Sequence, residues 1–432
     1  MGLTLANHIS SWYASHVGGG SERPALTGSI ETDVCVVGGG MAGVAAALDL
    51  AERGRSVVLL ERHRIGWGAS GRNGGFVSPG YPRGMPALIE KVGVPAAREL
   101  FQLSRGAHRL VRERIDRYGV DCGPIVQGAL RCAPAHARES LAPFCQQMAR
   151  DLDMQIEHWP REQVAEALKS PLYGEAYFNP LTFTVDPLAM TRGLAKAAEG
   201  LGVHIFEQSP ATALRMDRTS RAVRTQNGEV RAKEVILAGG GYIGGGLHRP
   251  VGMAVIPIAT FVVVTEPLGE RLTNAIRVPY AISDTSGAAN YYRPLADTRL
   301  LWGGRVLTWE PNTGRIAARL RRDIVAFYPS LAGVKIDFAW SGLMPYLRHR
   351  APVVAKLEDG LWVSTGFGGL GMALTTLAGQ MIASGICDGD DRWRLLAQFG
   401  LPFAGGKLGR VPAQIIYWRQ QMEAWLGRVR AA

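Results

Sequence analysis

The chain has 432 residues, of which 47% are hydrophobic and 20% are charged. This is the composition of a globular protein long enough for two domains, and it argues against a disordered or low-complexity chain. The 48 Lys and Arg residues outnumber the 37 Asp and Glu residues, which gives a net charge of +11. Such a surplus favours anionic substrates, acidic partners or a membrane surface. No Lys- or Arg-rich run of the nucleic-acid-binding kind is present, so no nucleic-acid partner is expected.

The cysteines are odd in number and include no C-x-x-C pair; they are Cys35, Cys122, Cys132, Cys145 and Cys387. We therefore expect neither a disulfide framework nor a metal site, and we predict a cytoplasmic location. Cys35 lies inside a strand-like apolar run and is expected to be buried. Residues 1–17 lack the charged start and the continuous apolar core of a signal peptide.

Residues 363–387 are 25 residues without a charge, which is long enough to cross a bilayer. The stretch also contains six glycines and six hydroxyl or amide side chains. We interpret it as a glycine turn leading into a buried helix, and we reject a transmembrane segment. Peripheral contact with a membrane stays open.

Residues 33–61, DVCVVGGGMAGVAAALDLAERGRSVVLLE, have the order of elements that a dinucleotide site requires. A strand-like run enters a turn in which Gly38, Gly40 and Gly43 have the G-x-G-x-x-G spacing. These glycines allow a tight turn, close approach to a pyrophosphate, and close packing of the next helix on the sheet. Glu61, after the second strand, can accept hydrogen bonds from a ribose diol. The pattern predicts a nucleotide site; a glycine-rich turn without a ligand is the alternative.

Apolar periodicity divides the rest of the chain into helices and strands. Asp186 and Pro187 predict the N-cap and first turn of a helix that ends near Leu201. The other helices are predicted at residues 86–118, 135–152, 161–168 and 314–327. Strands are predicted at residues 128–132, within 203–241, and at 251–265, 291–293, 300–306 and 335–343. Dinucleotide-type elements occur at the start, middle and end of the chain, so the domains are expected to be discontinuous.

Two basic stretches, residues 109–117 and 315–322, are interpreted as solvated helix faces, with a docking patch as the alternative. Residues 412–426 are predicted to form an amphipathic helix, with the apolar residues Ile415, Ile416, Trp418, Met422 and Trp425. For this helix we favour packing on the core or contact in a homodimer over membrane insertion.

Four segments together resemble the D-amino-acid oxidase superfamily. They are the N-terminal unit, GASGRNGG at residues 68–75, NYYRPLADTRLLWGGR at 290–305, and GFGGLGMALTTLAG at 366–379. The motifs are most similar to the branch that contains γ-glutamylputrescine oxidoreductase, and they are specific to the superfamily but not to a substrate.

The resemblance implies an α/β fold, α+β overall, in which a Rossmann-like FAD-binding domain is interleaved with a substrate domain. The substrate domain is expected to be built on a mostly antiparallel sheet flanked by helices. The FAD-binding domain would comprise residues 30–85, 186–245 and 346–390, and the substrate domain residues 86–185 and 246–345. Residues 1–29 would be an N-terminal extension and residues 391–432 a C-terminal helical tail.

The resemblance further implies FAD as the cofactor, held along the glycine turn, the GASGRNGG loop and the final glycine turn. Glu61 would hold the adenosine ribose, and Arg62 would lie near the adenine. A turn and helix N-terminus at residues 369–372 would face the O2 edge of the flavin, where the reduced ring carries negative charge. The expected cofactor-binding residues are Gly38, Gly40, Met41, Ala42, Gly43, Glu61, Arg62, Ser70, Arg72, Asn73, Gly74, Thr212, Gly239, Gly369, Leu370, Gly371 and Met372.

The implied reaction is the oxidation of a carbon–nitrogen bond in a small amine or amino acid. A hydride passes to flavin N5, and the imine is then hydrolysed. Oxygen would be the acceptor, giving hydrogen peroxide. The alternatives are a dehydrogenase that passes electrons to a quinone or another carrier, and a flavin-binding subunit without turnover.

This chain departs from the family pattern at four positions. Met344 and Gly369 stand where the glycine-oxidase branch has arginines that bind the substrate carboxylate, which argues against a small α-amino acid held by that clamp. Gly342 stands where monomeric sarcosine oxidase has its flavin-linking cysteine, so we expect non-covalent FAD. Leu370 replaces a histidine and puts a role in oxygen handling at that position in doubt.

Five residues are candidates for the substrate site. Tyr291 and Arg293 share one face of a strand and Tyr292 has the other, and either face could meet the cavity. Arg305 is the candidate cation for an anionic substrate group, with a surface or interdomain arginine as the alternative. His349 is a candidate for a position near the flavin.

Overall fold

The computed structural model describes residues 8–17, 22–217, 221–285, 290–309, 313–406 and 408–431. The strands in this part of the chain are β1 (Gly28–Val37), β2 (Val57–Leu60), β3 (Phe76–Val77), β4 (Val126–Pro134), β5 (Glu157–Trp159), β6 (Tyr173–Thr184), β7 (His204–Phe206), β8 (Ala213–Met216), β9 (Arg221–Arg224), β10 (Gly228–Leu237), β11 (Ile256–Thr265), β12 (Ala281–Asp284), β13 (Tyr291–Pro294), β14 (Leu300–Leu307), β15 (Ile336–Tyr346), β16 (Val353–Glu358) and β17 (Leu361–Thr365).

The helices are α1 (Trp12–His16), α2 (Met41–Glu52), α3 (Met85–Arg117), α4 (Ala142–Leu152), α5 (Arg161–Ala167), α6 (Pro187–Gly200), α7 (Arg249–Ala254), α8 (Glu270–Ala275), α9 (Thr313–Phe327), α10 (Gly371–Cys387), α11 (Arg394–Ala397) and α12 (Arg410–Ala431).

The first sheet has the strand order β16-β17-β10-β1-β2-β7, and β8 and β9 extend it beside β10. β1 runs parallel to β2 and β10, and β17 runs parallel to β10. Parallel strands are covered on both faces, so their sequences are continuous apolar runs. Residues 34–37 and 57–60 are such runs, and they are buried throughout, including Cys35 as predicted. This sheet is the Rossmann-like unit that the sequence predicted.

The second sheet has the strand order β15-β11-β14-β13-β12-β4-β6-β3, with β5 beside β6. All of its described strand pairs are antiparallel except the pair of β12 and β4. Its strands come from stretches of chain that alternate with those of the first sheet. The predicted fold class is therefore confirmed. The exact domain bounds stay a prediction.

Helix α2 connects the two parallel strands at the centre of the first sheet. It is buried from Met41 to Leu50 because the sheet lies beneath it and α6 and α10 pack against it. A Cβ atom at Gly379 would lie 2.7 Å from the backbone nitrogen of Ala46, so glycine permits the close approach of α10 to α2. Residues 363–387 are thus β17, a glycine turn and a buried helix, as predicted from the sequence.

The helix predicted at residues 186–201 is confirmed together with its cap. The Asp186 carboxylate accepts hydrogen bonds from the backbone N–H groups of Leu188 and Ala189, both at 2.9 Å. Residues 85–117 are helical with a break at Gly93, where φ is +80°, two residues before Pro95. The proline removes a backbone donor and crowds the preceding turn, so the helix divides there.

Two predicted boundaries were wrong. The helix predicted from residue 135 begins at Ala142, where Pro143 occupies the first turn, because a proline fits a helix start and not a helix interior. The strand predicted from residue 251 begins at Ile256. The four residues before Val255 belong to α7, which Pro250 starts in the same way.

The basic stretch at residues 109–117 is a solvated helix face only in part. Arg109 and Arg112 are exposed, but Arg114 is 2% exposed and forms ion pairs with Asp49 and Glu52 of α2. Spacing on α3 turns this one guanidinium toward the core.

Helix α12 packs on the protein through Ala413 and Tyr417, which contact a small buried cluster of Ile256, Ile258 and Ala404, and not through the apolar residues that the sequence singled out. Ile415, Ile416, Trp418 and Met422 are between 52% and 57% exposed, and the side chain of Trp425 lies outside the described part. A further buried contact of this helix is polar. Gln414 is 1% exposed, and its Oε1 accepts a hydrogen bond from the backbone N–H of Thr308 at 2.9 Å.

Among the described residues, no helix is both long enough and apolar enough to cross a membrane.

Candidate functional site

A cavity of about 1650 Å³ extends from the carboxyl ends of the parallel strands to one face of the second sheet. Ligands of open parallel sheets bind beyond the carboxyl strand ends, where the chain turns into helices. At the first sheet, the wall consists of the glycine turns after β1, β10 and β17. At the second sheet it consists of side chains of β11, β13, β14 and β15, and α12 closes one side. We call the part of the cavity at the glycine turns the cofactor half and the part at the second sheet the substrate half, after the domain roles that the sequence predicts.

The turn after β1 has the geometry that the glycine spacing predicts. Gly38 has a φ of +117°, a conformation that side-chain-bearing residues rarely adopt. A Cβ atom at Gly43 would lie 1.9 Å from the carbonyl oxygen of Gly38, and one at Gly40 would lie 2.9 Å from Ser70 Oγ. Glycine at position 40 thus lets Ser70 approach the turn, and Gly40, Met41 and Ala42 place the start of α2 at the cavity wall. This arrangement fits a pyrophosphate.

Glu61 lies at the carboxyl end of β2 and lines the cavity. Its Oε2 accepts a hydrogen bond from the backbone N–H of Gly39 at 2.6 Å, and its Oε1 accepts one from the N–H of His63 at 2.8 Å. Each oxygen keeps a further lone pair for a ribose hydroxyl. Burial raises the pKa of this carboxyl above its ordinary value, and the two N–H donors lower it in part.

We expect FAD binding to weaken as the pH falls through the raised pKa of Glu61. The charged carboxylate accepts hydrogen bonds from the Gly39 and His63 N–H groups and from the ribose, and protonation removes acceptor capacity. Glu61→Ala should raise the Kd for FAD about tenfold or more, and Glu61→Gln should show a smaller loss and no pH dependence in this range. Fluorescence titration of apoprotein with FAD measures both. A Glu61→Ala protein with unchanged affinity and unchanged pH dependence would contradict the assignment of Glu61 to the ribose.

The GASGRNGG loop forms a second layer over the glycine turn. Ser70 Oγ accepts the hydrogen bond of the Met41 N–H at 2.8 Å, which joins the loop to the start of α2. Asn73 donates to the carbonyl oxygens of Ala69 and Ser70 and accepts from the Gly75 N–H at 2.8 Å, so it shapes the loop itself.

Arg72 is 6% exposed and lies in the cavity wall between the two halves. Its guanidinium carbon lies 4.0 Å from the centre of the Trp67 ring, and its Nε donates to the Trp67 carbonyl oxygen at 2.6 Å. Trp67 in turn stacks on His63, and Tyr242 meets it edge-on. The sequence reasoning missed Trp67 and Tyr242, although the first stands within the glycine-rich loop.

The glycine turn after β17 brings a second helix N-terminus to the cavity. Residues 367–372 line the wall, and α10 begins at Gly371 without a side-chain cap. Ser364, at the end of β17, also lines the cavity; it is 2% exposed, and its Oγ has no hydrogen-bond partner among the described residues. A buried hydroxyl without a partner is costly, and a polar ligand in the cavity satisfies it. The uncapped N-terminus of α10 and the Ser364 hydroxyl therefore fit a dinucleotide whose ring has a polar edge.

Sixteen of the seventeen residues expected at the cofactor line the cavity. Gly43 does not line the cavity. Its role is to permit the close contact of α2 with Gly38 described above. Thr212 lines the wall, but its N–H already donates to the carbonyl oxygen of Arg224 at 2.8 Å. That N–H is therefore not available to a bound nucleotide.

The substrate half is formed by tyrosines and apolar side chains. Tyr291 packs against Gly74 and lies 3.4 Å from Thr260 through its hydroxyl, and burial raises its pKa to about 12. Tyr346 packs over Gly368, and Tyr417 of α12 completes the wall. Sequence reasoning found Tyr291 but missed Tyr346 and Tyr417, because nothing in their local pattern separates a cavity tyrosine from a core tyrosine.

Two of the other candidates pack into the second sheet and do not reach the cavity wall. Tyr292 is fully buried on the opposite strand face, where its hydroxyl bonds to those of Tyr173 and Tyr328 at 3.1 and 2.7 Å. Arg293 shares the face of Tyr291 but donates to Val185 O and Thr184 Oγ1 beside β6.

Arg305 and His349 are likewise corrected. Arg305 forms a two-point ion pair with Asp323, with a distance of 2.8 Å from Nε to Oδ2, so it is not a free cation for a substrate. His349 Nδ1 accepts from the Ala351 N–H, and its Nε2 lies 3.1 Å from the carbonyl oxygen of Gly400. Burial lowers the pKa of His349, which suits a neutral structural imidazole.

Acidic and basic side chains lie in different parts of the cavity wall. Glu61 is the one carboxylate among the described lining residues, and it belongs to the cofactor half. In the substrate half the charged lining residues are Arg131, Arg348 and Arg350, all exposed to solvent. Met344 lines the cavity between these groups and the final glycine turn. The substrate half is thus neutral and aromatic inside and positive at its rim.

No group of three or more His, Cys, Asp or Glu residues in the described ranges is placed to hold a metal ion.

A Rossmann-like sheet with a dinucleotide turn, a second helix N-terminus and an adjoining cavity is the arrangement found in dinucleotide-dependent oxidoreductases. Residues 33–384 match the family of FAD dependent oxidoreductases called DAO, and the chain belongs to that family. The predicted resemblance and the predicted cofactor are therefore confirmed.

Comparison with individual known proteins supports the same family. The chain is 33% identical to the γ-glutamylputrescine oxidoreductase of Escherichia coli K12, with 94% of this chain and 96% of that protein covered. It is 30% identical to the probable oxidoreductase OrdL of Haemophilus influenzae, with 95% of each covered. The crystal structure of glycine oxidase from Geobacillus kaustophilus has the same fold, with a TM-score of 0.70, 23% identity, and coverage of 86% of this chain and 99% of that one.

Proposed function

We propose that this protein oxidises the carbon–nitrogen bond of a small amine or amino acid, with non-covalent FAD as cofactor and oxygen as acceptor. The observation that carries the proposal is the neutral tyrosine-lined half-cavity that adjoins the flavin-type glycine turn at residues 366–372. The similarity to a γ-glutamylputrescine oxidoreductase supports the substrate class.

The absence of a flavin-linking cysteine supports non-covalent binding. Gly342 lines the cavity and packs on Arg72, and a Cβ atom there would lie 3.2 Å from Arg72 Cβ. None of the five cysteines, all of which lie within the described residues, belongs to the cavity wall.

FAD supplies a hydride acceptor for the carbon beside the amine nitrogen, and water then hydrolyses the imine product. The residues of this chain bind and orient the substrate. Tyr291, packed against Gly74, and Tyr346, packed over Gly368, line a neutral slot of the cavity and would orient the substrate there. Because burial raises the pKa values of both hydroxyls, they stay protonated at neutral pH and donate hydrogen bonds.

The charge distribution indicates which amines fit. Met344 places an apolar side chain where a clamp for an α-carboxylate would need a cation. The guanidinium groups of Arg348 and Arg350 lie at the rim instead. We therefore propose an elongated amine whose reacting nitrogen enters the neutral slot and whose distal carboxylate reaches the rim.

Anaerobic reduction of the bound flavin tests this function. Simple diamines, γ-glutamyl amines, N-methyl amino acids, and D- and L-amino acids are mixed with the holoprotein, and the flavin absorbance is followed. We expect carboxylate-bearing elongated amines to bleach the flavin and air to restore it with formation of hydrogen peroxide. Bleaching by no amine would leave a flavin-binding subunit, and re-oxidation only by a quinone would indicate a dehydrogenase.

Arg350→Gln sharpens the substrate assignment. It should raise KM for the active amine about tenfold, the effect of losing one charge-assisted hydrogen bond, with little change in kcat. Arg109→Gln removes an exposed arginine of α3 and serves as the matched control. Equal KM values for all three proteins would show that the distal carboxylate is not bound at the rim.

A further inference from the structure

The exposed apolar surface of this protein is concentrated in one place. Among the described residues, nine large apolar side chains are exposed, and seven of them lie between residues 403 and 422. They are Phe403, Leu408, Val411, Ile415, Ile416, Trp418 and Met422. An eighth, Trp309, meets Trp418 edge-on with ring centres 5.8 Å apart. Exposed apolar side chains concentrated in one segment mark an interaction site. Phe403, Leu408 and Ile416 of this set also line the cavity, so the apolar face of α12 borders the cavity.

The patch follows one face of α12. Val411, Ile415, Trp418 and Met422 are spaced at i, i+4, i+7 and i+11, which places them on one side of the helix. The opposite side is committed to the protein, since Ala413, Tyr417 and Gln420 line the cavity. The part of the helix up to Met422 therefore has its inner side at the cavity and its apolar face exposed.

The charge of this segment shows what the face can bind. Residues 407–432 contain five cations and one acid, Glu423, so four of the eleven net positive charges lie in the last 26 residues. Arg419 stands on the helix beside the apolar face and is exposed. A cationic helix with an outward Trp-containing apolar face is the pattern of a helix that lies in the interface of an anionic membrane.

The same charge disfavours a second copy of the chain as the occupant. A two-fold contact through this face would bring each cationic segment against its own copy, and like charges across an interface cost binding energy. We therefore propose that α12 and the residues before it dock the protein on an anionic lipid surface. Because the inner face of α12 is a wall of the cavity, docking places that wall directly above the lipid headgroups.

Vesicle flotation of the holoprotein tests the proposal. We expect it to float with vesicles of phosphatidylcholine and phosphatidylglycerol, about tenfold more strongly than with phosphatidylcholine alone, and less strongly at high salt. The variant I415S/W418S should lose binding about tenfold or more, since both apolar side chains leave the interface. L201S removes an exposed leucine elsewhere and should bind as the wild type does.

Several results would overturn the proposal. These are wild-type protein that stays with the unbound fraction, I415S/W418S that floats as well as wild type, and a wild-type dimer by light scattering that I415S/W418S dissociates without any flotation. Bound-flavin absorbance verifies that each variant is folded. If I415S/W418S does not fold, quenching of wild-type tryptophan fluorescence by brominated lipids decides, and its absence rejects the docking.

Discussion

Replacing Gly43 with alanine is expected to abolish FAD binding and to destabilise the fold by about 3 kcal/mol. The added Cβ atom would lie 1.9 Å from the carbonyl oxygen of Gly38 and 3.2 Å from Val36 Cγ1. Because the Gly38 oxygen is a backbone atom, the clash cannot be relieved by a side-chain rotation. Helix α2 must move away from β1, and with it the N–H groups that face the pyrophosphate.

Bound flavin is measured by the absorbance ratio of the purified protein, and stability by thermal and urea unfolding. Gly106→Ala is the matched control, because Gly106 lies in α3 and a Cβ atom there meets nothing within 4 Å. It should retain FAD and stability, with a small gain from the better helix propensity of alanine. A Gly43→Ala protein that purifies with full FAD content would show that α2 does not need this contact.

Replacing Arg114 with methionine is expected to cost about 3–5 kcal/mol of folding free energy. Arg114 Nη2 lies 2.8 Å from Asp49 Oδ1 and 2.9 Å from Glu52 Oε2, and it joins α3 to α2. Asp49 is 2% exposed, and Arg53 at 3.4 Å is its other ion-pair partner. Loss of Arg114 therefore leaves a carboxylate buried with little compensation. Urea unfolding measures the change.

The pH dependence of the free energy of unfolding shows whether the buried Asp49 carboxyl causes the loss of stability. Burial raises the pKa of Asp49 in the folded protein, while Arg114 and Arg53 oppose the rise. In Arg114→Met the opposing charge is gone, so the folded state holds a proton that the unfolded state releases. The free energy of unfolding should then fall as the pH rises through the raised pKa, by up to about 1.4 kcal/mol per pH unit.

The double variant D49N/R114M is the control for this reading. It removes the buried charge, so it should recover part of the stability and lose the pH slope of the single variant. A single variant whose stability is independent of pH would contradict the role given to Asp49.

The cofactor half could be predicted from local sequence because its chemistry lies in backbone geometry. Gly38, Gly40 and Glu61 belong to one strand–turn–helix–strand unit whose spacing sets their positions. The substrate half could not be predicted in this way. Tyr291 and Tyr292 are neighbours with the same side chain, yet one lines the cavity and the other bonds to Tyr173 and Tyr328.

The arginines likewise show that local sequence does not predict which side chains reach the cavity. Arg305 and Arg350 carry the same charge, but Arg305 is paired with Asp323 on a helix 18 residues away in sequence, whereas Arg350 reaches the cavity rim. Arg114 belongs to a basic run whose sequence predicts a solvated surface, but its ion-pair partners Asp49 and Glu52 lie on another helix. Partners of this kind are set by packing between distant segments, and no local pattern records them.

The sequence by itself determined the dinucleotide turn, because the turn depends on short-range spacing of glycines, apolar runs and one acid. The resemblance of four motifs to a known superfamily added the fold class, the family and the FAD cofactor. Only the tertiary structure decided which tyrosines and arginines line the cavity and that the apolar face of α12 points outward. These features depend on contacts between helices and strands that are distant in sequence. Such contacts form only when the whole chain packs, and they determine which face of each element is buried.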